Sequence, residues 1–95
     1  MTNESSIVYR VHAALRMAQR GITRNEVEEV IWKGEVIESY ENDTPYPSKL
    51  VFGLVAGRPI HVVVARNVDA GEFIVVTVYE PDPEKWYDDY KRRRP

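Results

Sequence analysis

Two apolar runs late in the chain set the reading of the whole. Ile60-His61-Val62-Val63-Val64-Ala65 and Phe73-Ile74-Val75-Val76-Thr77-Val78-Tyr79 are short, rich in β-branched and aromatic residues, and free of internal proline. Turn-forming stretches bound them: Gly57-Arg58-Pro59, Asn67 to Gly71, and Pro81-Asp82-Pro83. The pattern predicts two central strands of a sheet. Side chains alternate faces along a strand, so His61 groups with Val63 and Ala65, and Thr77 and Tyr79 group with Val75 and Phe73. Pairing that superimposes the purely aliphatic sets brings His61, Thr77 and Tyr79 together on the opposite face.

The earlier chain supplies two more strands. Val36 to Tyr40 reads as the first and Lys49 to Ala56 as the second, joined by the polar, proline-stiffened loop Glu41 to Ser48. Gly57-Arg58 suits a two-residue type II′ turn, which puts Ala56 opposite Pro59 and Leu54 opposite His61.

Helices are predicted at both ends. From about Ile7 to Arg20, Val8, Val11, Leu15 and Ala18 fall on one helical stripe, with Ser5 or Ser6 as N-cap. Ile7 to Arg10 also fits an extended conformation. His12, Arg16 and Arg20 follow at i, i+4, i+8 and line a polar ridge, each step drifting only about 40° around the axis. Gly21 ends this helix. Thr23-Arg24-Asn25-Glu26 has the capping-box form and opens a second helix carrying Val27, Val30, Ile31 and Trp32, with Gly34 beyond its end. The short link predicts a helical hairpin. Asp82-Pro83-Glu84 predicts a last helix docked through Trp86 and Tyr90. Disordered ends are expected at 1–5 and 92–95. The predicted fold is α+β: two N-terminal helices, a four-stranded antiparallel sheet and a C-terminal helix, in the order α-α-β-β-β-β-α.

Composition narrows the chemistry. Ninety-five residues predict one domain with a modest core, and 43% hydrophobic and 29% charged content is ordinary for a globular protein. With no cysteine, disulfides, thiolate metal sites and thiol nucleophiles are excluded, and a cytoplasmic location is the simplest expectation. Two histidines are too few for a metal site without carboxylates. No apolar run approaches the ~20 residues needed to cross a bilayer, and the first residues lack a signal-peptide pattern. A net charge of −2 argues against indiscriminate nucleic-acid binding. The charges are nonetheless segregated, with Arg10, Arg16, Arg20 and Arg24 early, acids at Glu26 to Glu29, Glu41 to Asp43 and Glu80 to Asp89, and Lys91-Arg92-Arg93-Arg94 at the end.

Each candidate functional residue has a structural alternative. His61 reads as a general acid or base with Tyr79 as a second proton carrier, or as a structural histidine bonded to Thr77 or to loop backbone. His12, Arg16 and Arg20 read as a phosphate- or carboxylate-binding ridge, or as a solvated helix face paired with Glu26, Glu28 or Glu29. Lys49, Arg58 and Arg66 read as ordinary strand-end cations, and Arg92 to Arg94 as a solubilising tail. Trp86, Tyr87 and Tyr90 suit stacking on bases or, more simply, docking onto the core. The chain has no glycine-rich phosphate loop, no His-x-x-x-His pair and no nucleophile elbow, which argues against nucleotide-driven or metal-dependent chemistry and against a cofactor.

An ordered set of segments resembles one family. His12-Ala13 with Arg16-Met17 and Arg20-Gly21-Ile22, Gly34 to Glu38, Asp43 to Ser48, Arg58 to Val63, and Thr77 to Asp82 with Trp86 together resemble the domain of unknown function 4258 family. That family's members resemble RelE-like and BrnT-like toxins of type II toxin–antitoxin systems. The resemblance implies helices on one sheet face and RNA across the other, with a small zinc-ribbon antitoxin as partner. It also implies metal-independent RNA cleavage involving His61, Tyr79 and Thr77, with phosphate contacts from His12 and Arg16. Two functional expectations follow. One is an endoribonuclease toxin. The other is a non-catalytic interaction module, binding a small protein or forming a homodimer through a patch around Phe52, Leu54 and Val63.

Overall fold

The computed structural model describes residues 6–95. An N-cap at Ser5 and the expectation of disorder at 1–5 lie outside the described residues. The elements are β1 (Ser6–Tyr9), α1 (Val11–Arg20), α2 (Arg24–Lys33), β2 (Glu35–Tyr40), β3 (Ser48–Val55), β4 (Arg58–Asn67) and β5 (Glu72–Tyr79). The five strands form one sheet in the order β1-β5-β4-β3-β2. β1 runs parallel to β5, and the other pairs are antiparallel.

This corrects the predicted four-stranded antiparallel sheet with a C-terminal helix. The extended alternative for Ile7 to Arg10 is the one adopted. Ile7, Val8 and Tyr9 pair with Phe73, Ile74 and Val75. The Ser6 and Arg10 amides extend the ladder to the Gly71 and Val75 carbonyls, both at 3.1 Å. Helical spacing alone could not exclude this, because the strand partner lies more than sixty positions away.

After β5, Asp82 caps no helix. Its side chain accepts the Glu84 amide at 2.8 Å and its carbonyl accepts Lys85 and Trp86, a single turn that is not continued. The chain then folds back on itself through Tyr87 N–H to Arg92 O and Arg94 N–H to Lys85 O, both 2.8 Å, with a bridge between Trp86 and Arg93. A helix this short is marginal in water, and a segment rich in Asp and Tyr does little to favour one. Near the end of the chain, Arg93 and Arg94 make side-chain contacts to earlier segments. Arg93 grips the Glu38 carboxylate through two nitrogens at 2.9 and 3.2 Å, and Arg94 Nε donates to the Pro83 and Trp86 carbonyls at 2.9 Å.

α2 follows its sequence signals. Thr23 Oγ1 accepts the Glu26 amide at 3.1 Å and Glu26 returns a carboxylate oxygen to the Thr23 amide at 2.8 Å. The helix packs tightly on β3. A Cβ at Gly34 would lie 2.5 Å from Val30 O and 2.6 Å from Phe52 O, so this position needs glycine for close approach rather than for its φ of −77°. The C-terminal carbonyls of α1 receive the Arg58 guanidinium, which reaches Gly21 O and Arg20 O and also pairs with Glu80.

Two local irregularities decide which side chains share a face. The β3–β4 turn is Ala56-Gly57, with φ of 52° and 80°, as a type I′ turn requires. Leu54 therefore faces Pro59 and Phe52 faces His61, correcting the predicted register by two while preserving the faces. In β5 the register shifts between Val63 and Val64 of its partner. His61 pairs with Tyr79 and Val63 with Thr77, but Val64 pairs with Val75. The extra residue, Val76, turns Val75 into the helix-side core, away from Thr77 and Tyr79. That core holds Ala13 and Met17 of α1, Val27 and Val30 of α2, and Ile60, Val62, Val64, Val75 and Val78 of the sheet.

Candidate functional site: a sealed histidine–tyrosine pair

The alternation that sends Ile60, Val62 and Val64 to the helices sends His61 to the opposite face, beneath residues 82–95. His61 is fully buried. Its Nε2 lies 2.7 Å from the Tyr90 carbonyl, which can only accept, so Nε2 carries the proton. Nδ1 then accepts from the Tyr79 hydroxyl at 3.3 Å. The Trp86 ring stands perpendicular to the imidazole at 4.5 Å between centroids, with Tyr79 at 5.2 Å and Phe52 at 5.8 Å. Tyr90, itself at a left-handed φ of 60°, lies against Phe52.

Burial is the largest influence on His61 and pushes its pKa below the ordinary value. The Tyr90 carbonyl opposes this by favouring a protonated ring, Arg93 adds to the depression, and Glu38 counters it. The result is a neutral imidazole held in one tautomer. Burial likewise raises Tyr79, with Arg93 lowering it and Glu38 raising it.

A second polar group sits at the rim. Arg93 holds the Glu38 carboxyl below its usual range, against a smaller opposing effect of burial. Tyr40 donates to the same carboxylate, and burial together with Glu38 pushes its hydroxyl up to about 12. Glu38 and Tyr40 are two apart on β2 and share a face, a spacing visible in the sequence. Nothing in the sequence pointed to Arg93, which is 55 positions from its partner.

The predicted site residues divide into two groups. His61 and Tyr79 meet as expected, and Thr77 shares their face opposite Val63, but the hydrogen-bond partners of His61 are Tyr79 and Tyr90. His12, Arg16 and Arg20 lie on α1, whose buried residues Ala13 and Met17 pack on the helix-side core. The sheet separates them from His61. Among the described residues Arg16 and Arg20 form no ion pair, with Glu26, Glu28, Glu29 or any other acid. The predicted patch also divides, since Phe52 is buried in the His61 box while Leu54 is exposed. Lys49 and Arg66 line a cavity of about 440 Å³ with Phe73 and Val64, away from both groups. Among the described residues no three His, Asp or Glu side chains are placed to hold a metal ion, and no helix is long and apolar enough to cross a membrane.

Fold and site together define a small α+β domain with a mixed five-stranded sheet and a buried histidine–tyrosine pair on the face away from its helices. The family model described as Domain of unknown function (DUF4258) matches residues 9–80, and the chain belongs to that family. No curated protein and no solved structure matches it. The matched stretch includes every predicted site residue but ends before the segment that covers His61.

Proposed function

We propose that the protein acts as a non-catalytic interaction module that binds a small partner protein. The observation behind this reading is the closure of His61. Both ring nitrogens are engaged within the chain and the ring is fully buried, so neither has a vacant position for a substrate oxygen. A neutral buried histidine with two satisfied nitrogens is the arrangement that anchors a covering segment to a sheet. The test is incubation of the purified chain with a mixed RNA substrate. The expected result is no cleavage above a buffer control. Cleavage by wild type that disappears in His61→Gln, with the fold retained, would overturn the reading.

One observation favours a second reading, an endoribonuclease of the toxin type: His61 and Tyr79 converge as a hydrogen-bonded pair within reach of the charges on Glu38 and Arg93. Here His61 is the acid or base, Tyr79 assists, and residues 82–95 must first lift away. Phosphate contacts then come from Arg93 rather than from His12, Arg16 or Arg20, which lie beyond the sheet. Loosening the cover with Arg94→Ala, which gives up the bonds to the Pro83 and Trp86 carbonyls, tests this, because turnover that rises in that variant and vanishes on adding His61→Ala belongs to the enzyme reading alone.

A further inference from the structure

The helices leave part of their own sheet face open. Lys49 on β3 sits opposite Val64 on β4, whose side chain belongs to the helix-side core. Arg66 lies two residues further along β4 and so shares that face, opposite Phe73 of β5. All four line the cavity of about 440 Å³, whose walls come from the strands and the loops beside them. Its volume falls within the ~300–1,000 Å³ of small-molecule sites. Val64, Phe73, Pro47 and Val68 give it an apolar lining. Phe73 is held from behind, since it packs on the core and meets the Trp32 ring edge-to-face at 5.3 Å between centroids.

The two cations in this cavity lack partners. Arg58, Lys91, Arg92, Arg93 and Arg94 each pair with an acid, whereas among the described residues Lys49 and Arg66 pair with none. They are diagonal neighbours on adjacent strands, about 7–8 Å apart and within reach of each other, so their like charges oppose until an anion lies between them. The Arg66 guanidinium rests 4.5 Å from the centroid of the Phe73 ring. Stacking on a fixed ring sets the guanidinium plane, and the N–H edge of that plane suits a carboxylate held by two parallel hydrogen bonds. Glu41 also lines the cavity, exposed and in no ion pair with either cation. Two positive charges against one negative match a singly charged anion, a carboxylate rather than a phosphate dianion.

We infer that this cavity binds a small-molecule carboxylate with an apolar body. Arg66 grips the carboxylate, Lys49 supplies the second positive charge, and the body lies against Val64 and Phe73. The site goes beyond the binding-module reading and does not depend on it, because His61 lies on the other face of the sheet.

The probes are benzoate, hydrocinnamate and octanoate, each titrated to ~10 mM into the isotope-labelled full chain and followed by backbone amide NMR shifts. Expected are saturable shifts centred on Lys49, Val64, Arg66 and Phe73 for at least one probe. Lys49→Gln and Arg66→Gln should each weaken that binding by ~tenfold or more, and both positions are exposed, so the rest of the spectrum should keep its wild-type pattern. Glu41→Gln removes the opposing charge and should tighten binding by ~twofold or more. Acetate, which has the charge without the body, and the alcohol that corresponds to the tightest probe should each bind ~tenfold or more weakly than that probe.

Three results overturn the inference: no saturable binding by any of the probes, shifts centred elsewhere, or binding indifferent to both Lys49→Gln and Arg66→Gln. Equal binding of the alcohol would show an apolar cavity in which the cations play no part. Tighter binding of phenyl phosphate than of benzoate would assign the anion to a phosphate ester. Displacement of the bound carboxylate by an RNA oligonucleotide, with shifts spreading beyond the cavity, would assign the cations to nucleic acid. None of these results bears on His61, whose role the RNA cleavage assay decides.

Discussion

Tyr90 turns its backbone carbonyl onto the imidazole of His61, with Nε2 2.7 Å from the oxygen, and so ties the C-terminal segment to the middle of the sheet. The contact fixes the tautomer of His61, and the tautomer in turn lets Nδ1 accept from Tyr79. His61→Ala would remove a fully buried ring and leave the Tyr90 carbonyl and the Tyr79 hydroxyl without their partner. The expected destabilisation is about 2–4 kcal/mol, read from urea denaturation midpoints at constant slope. A loss below about 1 kcal/mol would mean that the segment holds without the histidine.

His61 also sets a pH dependence. Its pKa is lower folded than the ordinary 6.5, so over that interval the unfolded chain binds the extra proton. Stability should be fully present above the unfolded value and should fall as pH drops below it, levelling off under the folded pKa. Glu38, whose pKa is lowered by Arg93, loses its contribution in a separate window, as pH falls below its ordinary 4.5. Denaturation midpoints measured against pH should lose the upper slope in His61→Gln and keep the lower one. An unchanged upper slope would assign it to another group.

Arg93→Ala removes the two-pronged grip on Glu38. Both side chains are partly exposed, so the global cost should be small, about 0.5–1 kcal/mol. The local effect should be larger. Hydrogen exchange should quicken at the Tyr87, Tyr90 and Arg94 amides, which are bonded only within the segment, while strand amides stay protected. Faster exchange throughout β3 and β4 would show instead that the segment and the sheet open together.

Gly34→Ala and Gly53→Ala should differ. The new Cβ at Gly34 meets two backbone oxygens that cannot rotate away, whereas at Gly53 it meets the Val30 side chain at 2.9 Å. The expected costs are about 2–3 kcal/mol for Gly34→Ala and about 1 kcal/mol for Gly53→Ala, from thermal or urea unfolding. Equal costs would mean that α2 shifts on β3 as a unit.

Local sequence determined what local physics controls. The Thr23–Glu26 box fixed the start of α2, because both hydrogen bonds close within four residues. Strand alternation brought His61 and Tyr79 to one face, and the segments from His12 to Trp86 marked the family. Tertiary structure decided the rest. Ile7 to Tyr9 became a strand because the β5 edge was there to pair with, and Val76 became a bulge because Val75 and Val64 are buried together in the core. Residues 82–95 folded back because a buried imidazole and the Glu38 carboxylate offered partners that no neighbouring residue could. The direction of the α1 stripe belongs with these. Periodicity shows that Val11 and Leu15 lie on one side of a helix, but only the packing of Ala13 and Met17 on the sheet turns that side to solvent, since burial depends on contacts made across the fold.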